Sequence, residues 1–166
     1  VDIHRVFLGG LPGELGFMGT FEDFVAERFA SSQAGDFAVL EAGIVSEETY
    51  IEQGDYWKES YHPLIKYVLD KYKPDLAMVG NPVTDEVQHQ FLGLVTKKLP
   101  NGAKNPSYDD VAVDGSKDGR VKERERFIQD AYEGADDTMR LAQERLRDRD
   151  LTTFVSSDHG FAPQFL

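Results

Sequence analysis

Two Asp/His pairs are the residues of this chain best suited to chemistry. Asp85 and His89 stand four residues apart, and Asp158 and His159 are adjacent within Ser157-Asp158-His159-Gly160. Each pair follows an apolar run: Leu76-Ala77-Met78-Val79-Gly80 before the first, Leu151-Thr152-Thr153-Phe154-Val155 before the second. Carboxylate oxygen and neutral imidazole nitrogen are donors that a divalent cation takes, at about 2.0–2.2 Å for zinc. Two such cations roughly 4 Å apart can clamp a phosphoryl group and stabilise both its attacking and leaving oxygens. In open α/β sheets, ligand-binding groups collect at the carboxyl ends of strands. The pattern therefore predicts a two-metal hydrolytic centre with Asp85, His89, Asp158 and His159 as ligands. Each pair alone has a plainer reading. Thr84 or Asp85 could cap a helix with His89 on the surface, and Asp158 could cap a turn through His159-Gly160. Their joint occurrence behind two strand-like runs favours the metal centre.

The same residues carry a family likeness. Ser157-Asp158-His159-Gly160 after an apolar strand, with Pro74-Asp75-Leu76 leading to Asp85-Glu86-Val87-Gln88-His89, resembles the type I phosphodiesterase/nucleotide pyrophosphatase group of the alkaline phosphatase superfamily. The resemblance runs from about Asp75 to Gly160. That group usually has Gly before its first histidine, where this chain has Gln88. The resemblance implies that Asp85 and His89 hold one metal while Asp158 and His159 help hold another, as ligands and not as acid/base catalysts. It implies two divalent ions, with zinc fitting the donor mix and manganese fitting too. It also implies a small-molecule phosphate ester or nucleotide as substrate.

The group further uses an upstream Asp, a Thr or Ser nucleophile and a later His. Asp2, His4 and Thr20 lack the strand-then-Thr/Ser context, and the chain ends six residues after Gly160. The chain is thus expected to be an internal piece of a larger catalytic domain, with no catalytic residue assigned within it. The expected fold is α/β, part of an alkaline-phosphatase-like three-layer α/β/α sandwich. Two other readings stand beside this one: a degenerate, non-catalytic binding domain, and another hydrolase of the superfamily such as a phosphonoacetate hydrolase.

The elements that must position these residues follow from periodicity and punctuation. Val6-Phe7-Leu8 precedes a turn-rich Gly9-Gly10-Leu11-Pro12-Gly13, which lacks the Lys-Ser/Thr ending of a phosphate loop. Phe21 to Phe29 has helical spacing, with Thr20 as N-cap. Phe37 to Leu40 reads as a strand, and Ser46-Glu47-Glu48 could open a helical turn. A helix is expected over Tyr56–Tyr72, starting near Tyr61 with Pro63 in its first turn. Its apolar face is Trp57, Tyr61, Leu64, Ile65, Val68 and Leu69. Asp75 to Val79 reads as a buried strand, and Asp85 to Val95 as a short helix or turn with Phe91, Leu92 and Val95 inward. Residues 97–120 are dense in turn dipeptides and predict a surface insertion. A long helix over Val121–Arg147 buries Phe127, Ile128, Ala131, Ala135, Met139, Ala142 and Leu146. A final strand then leads to Asp158.

Composition sets the outer limits. The 166 residues suffice for one domain with a core. A net charge of -12, from 30 acidic and 18 basic residues, argues against nucleic-acid binding through a basic patch. The absence of cysteine excludes disulfides and thiolate metal sites. No apolar run approaches the roughly 18 residues of a membrane-spanning helix.

Overall fold

The computed structural model describes residues 28–29, 34–109 and 117–163. The Val6–Leu8 run, the glycine-rich turn, His4 and most of the Phe21–Phe29 helix lie outside them. Four helices are described: α1 (Phe37–Glu41), α2 (Glu47–Tyr72), α3 (Val83–Val95) and α4 (Val121–Leu146).

The expected α/β sandwich is corrected by this architecture. Among the described residues there is no β-strand, and one isolated antiparallel bridge, Lys98 to Lys104, is present. The runs read as strands take two other forms. Phe37–Leu40 is helical, because the Asp36 side chain accepts from the N–H groups of Ala38 (3.0 Å) and Val39 (3.4 Å) and nucleates a short turn. Residues 76–80 and 151–155 carry no regular structure and lie exposed, with Met78 85% and Phe154 90% accessible. A strand is defined by its neighbour's backbone groups. Neither segment has a backbone–backbone hydrogen bond to another among the described residues.

The helices form where local signals agree. Ser46 caps α2 by accepting from Thr49 N at 3.2 Å, and Glu47 and Glu48 sit in its first turn, complementing the helix dipole. The helix therefore starts well before Tyr61. It runs through Pro63, which has no N–H for the carbonyl one turn back but faces solvent, so the loss falls on the wet side. It ends at Lys73 in the left-handed region (φ 44°), followed by Pro74.

The core lies between α2, α3 and α4. Tyr50, Val83, Val87, Phe91 and Ala131 form one buried cluster, with Trp57, Phe127 and Ile128 packed against it. The spacing Val83, Val87, Phe91 is one helical stripe of α3. A second cluster joins Ile65 and Leu69 of α2 to Leu146 of α4, flanked by Tyr61 and Ala142.

Between α3 and α4 the chain is held by polar side chains. Asn105 is fully buried, and its amide donates to the carbonyls of Gly93 and Thr96, both at 2.7 Å. This satisfies carbonyls at the end of α3 that have no helical partner. Asp109 (φ 58°) accepts from Gly119 N and Arg120 N, at 3.1 and 3.0 Å, at the entrance to α4. Arg124 of α4 is fully buried and binds Glu47 of α2 through Nε at 2.9 Å. It also reaches Asp118 at 3.1 Å and Asp109 at 3.4 Å.

Among the described residues, no helix is long and apolar enough to cross a membrane.

Candidate metal-ligand site

Asp85 and His89 sit on the first two turns of α3, one turn apart, as their spacing predicts. His89 Nε2 lies 3.4 Å from Asp85 Oδ2. Gln88 suits this helical setting. Its amide donates back to the carbonyl of Thr84 at 3.0 Å, so the position usually held by Gly needs no special backbone freedom here. The helix entrance is shaped by Asn81, whose Oδ1 accepts from Val83 N at 3.1 Å.

Asp158 and His159 arrive from the other end of the chain, on the exposed segment after α4. His159 N donates to Asp158 Oδ1 at 3.1 Å, and Ser157 Oγ donates to the His159 carbonyl. This is a tight local turn. His159 Nε2 stands 3.7 Å from Asp158 Oδ2 and 3.5 Å from Asp85 Oδ1. The two pairs, far apart in sequence, thus meet on one surface. Phe161 closes the group edge-on against His89, with ring centroids 4.7 Å apart.

The electrostatics are those of an acidic surface cluster. The His159 imidazole titrates above its ordinary value, first through its bond to the Gly160 carbonyl and then through the charges of Asp158 and Asp85. Glu86, beside Asp85, is raised by burial and then by the Asp85 charge. Burial, and then the Glu86 charge, push the Tyr50 phenol up to about 12. Sequence reasoning passed over both Glu86 and Phe161. The only available signal was their closeness in the chain to Asp85 and His159.

Whether these residues suit a metal can be tested on Asp85. Its Oδ1 is shielded from solvent and makes no hydrogen bond among the described residues, although His159 lies at ion-pair distance. A shielded carboxylate oxygen without a donor is costly unless a cation or proton satisfies it. Two carboxylates and two imidazoles are also the donor types that zinc and manganese take. The residues fit in kind. In arrangement, no group of three or more His, Asp or Glu side chains among the described residues is placed to hold an ion, so each pair offers two donors.

The chain belongs to the type I phosphodiesterase/nucleotide pyrophosphatase family, whose model matches residues 20–165. The match takes in both Asp/His pairs. The family is hydrolytic, acts on phosphate esters or nucleotides, and is generally metal-dependent. No curated protein and no solved structure matches the chain.

Proposed function

We propose that this chain supplies ligands for a metal-dependent phosphoric ester hydrolase of the phosphodiesterase/nucleotide pyrophosphatase type. Asp85 and His89 would bind one divalent ion, and Asp158 and His159 a second. The observation that carries this reading is the contact between the pairs, with His159 Nε2 3.5 Å from Asp85 Oδ1. Two bound ions would neutralise charge on a phosphoryl group and on the oxygens entering and leaving it.

The chain's own residues hold and orient that group of ligands. Asp85 stands in the first turn of α3, one helical turn before His89. His89 is braced by the edge of Phe161. The turn at Ser157–Gly160 aims His159 back toward α3. No residue of the chain is assigned the attacking nucleophile.

The test is zinc binding by the full chain, measured by equilibrium dialysis, beside turnover of bis-p-nitrophenyl phosphate by the full-length protein with Asp158→Ala as control. With two ligands per ion, binding by the chain should be weak and should fall at least about tenfold in His89→Ala and in His159→Ala. Nanomolar zinc binding that survives both substitutions would remove these residues as ligands. Diester turnover that needs metal and is lost in Asp158→Ala would support the hydrolase reading. A folded, metal-loaded protein that leaves the diester intact would point to a monoesterase or to a non-catalytic domain.

A further inference from the structure

The position of α3 is what brings Asp85 to His159, and α3 is reached through a stretch with little to hold it. Residues 76–80 are exposed and make no backbone–backbone hydrogen bond among the described residues. At the start of this stretch Arg149 fastens the chain, donating to the carbonyls of Lys73 (2.7 Å) and Pro74 (2.9 Å) and pairing with Asp75 (3.1 Å). At its end stands Asn81.

We infer that Asn81 is a positioning residue for the Asp85–His159 contact, acting as the tie between the entrance of α3 and the middle of α4. Its two ends do different work. Oδ1 accepts from Val83 N at 3.1 Å and shapes the turn into α3. Nδ2 donates across to α4, to Thr138 Oγ1 at 3.2 Å and the Gly134 carbonyl at 3.3 Å.

The receiving side is well defined. Thr138 is buried and bonds back to the Gly134 carbonyl at 3.0 Å, which fixes its hydroxyl. His62 of α2 meets the same hydroxyl at 3.2 Å. One carboxamide thus bridges the irregular segment to a junction of α2 and α4. Asp85 follows one helical turn after Asn81. A small rotation of α3 about its entrance would therefore move Asp85 and His89 away from the segment that carries His159.

The functional consequence rests on the proposed ligand roles of the two Asp/His pairs, while the geometric consequence does not. The experiment reads both. In the metal-free full chain, the nuclear Overhauser contact between the His89 and Phe161 rings reports the placement of α3 against the second pair. Calorimetric titration with Mn2+ reports the ligand set. Asn81→Ser keeps a side-chain oxygen for Val83 N and loses the reach to α4. Thr138→Val removes the nearer of the two acceptors on α4 and leaves the Gly134 carbonyl, and Thr138→Ser restores the hydroxyl.

The expected result is a weakened His89–Phe161 contact in Asn81→Ser and Thr138→Val, recovered in Thr138→Ser. Mn2+ affinity should fall about tenfold in the first two, the usual scale for losing an orienting partner. The thermal midpoint should move little, because the buried clusters are untouched. An unchanged ring contact and affinity in Asn81→Ser would overturn the inference. If the wild-type chain shows the ring contact but takes up no Mn2+, the ligand reading fails, and the ring contact alone decides the role of Asn81. If Asn81→Ser does not fold, the Thr138 pair decides it in the same way.

Discussion

Two regions gather charged side chains from distant parts of the chain, and they are built in opposite ways. Around Arg124, the guanidinium is fully buried and every partner is a carboxylate: Glu47 from α2, with Asp109 and Asp118 from the connection into α4. Arg120 adds a second cation on Glu48. Around Asp85, the partners are imidazoles on an exposed surface, the separations are 3.4–3.5 Å, and one carboxylate oxygen has no hydrogen bond among the described residues. The first cluster closes on itself, and among the described residues none of its buried side-chain atoms lacks a hydrogen bond. The second leaves Asp85 Oδ1 shielded from solvent and, among those residues, without a hydrogen bond. A charge cluster built to hold a fold satisfies itself, whereas one available to bind a ligand does not, and this contrast can be tested by substitution.

The largest effect is expected in the closed cluster. Arg124→Met leaves the buried carboxylates Glu47 and Asp109 without the guanidinium they share. Removing one partner of a buried ion pair typically costs about 3–5 kcal/mol. Denaturant unfolding of the variant should show a loss of that order. His159→Ala, on the exposed side, should change stability by no more than about 0.5 kcal/mol. Equal losses in the two variants would erase the distinction.

A smaller effect separates the regions by pH. Burial alone would raise the Asp118 carboxyl, but its bonds to Arg124 and the Arg120 N–H outweigh that and hold it below the ordinary carboxylate value. A depressed folded-state value means that this stability is present above the unfolded value, near pH 4, and is lost as pH falls through the folded one. Unfolding midpoints should therefore drop on acidification below about pH 4, and Asp118→Asn should flatten that drop. A wild-type slope retained in full by the variant would place the acid sensitivity elsewhere.

The same contrast explains what could be read from the sequence. Phe91 on the inner face of α3, the helix start at Ser46 and the face of α4 are local signals, and local hydrogen bonds suffice to realise them, whereas Val83 and Val87 fill the buried stripe where Leu92 and Val95 were expected and these two are only half-buried. The Asp85–His89 spacing was legible for the same reason, since one helical turn places both on one face. The strand expectations at residues 75–79 and 151–155 needed partner strands that no local pattern specifies. At Phe37–Leu40 the apolar run suggested a strand, but the Asp36 cap decided the outcome. Pro63 seemed to mark a helix start, yet on an exposed face it costs too little to override the signals from Ser46 onward. The Arg124 cluster left no mark at all, because Arg124 and Glu47 lie 77 residues apart.

The smallest expected effect lies on the exposed segment that leads to Asp158. Phe154 is 90% accessible, so its ring gains almost nothing from burial. Phe154→Thr should leave the unfolding free energy of the full chain within about 0.5 kcal/mol of wild type, as for surface substitutions away from special features. Phe91, fully buried in the core between α2, α3 and α4, is the matched control, and Phe91→Ala should cost about 3–5 kcal/mol. Two phenylalanines, one on the segment carrying the second Asp/His pair and one on the helix carrying the first, would then differ several-fold in what they contribute. A loss at Phe154 comparable to that at Phe91 would mean that the ring is covered in solution. The segment would then be a packed element and not an open one, and the loose construction assigned to the second pair would be wrong.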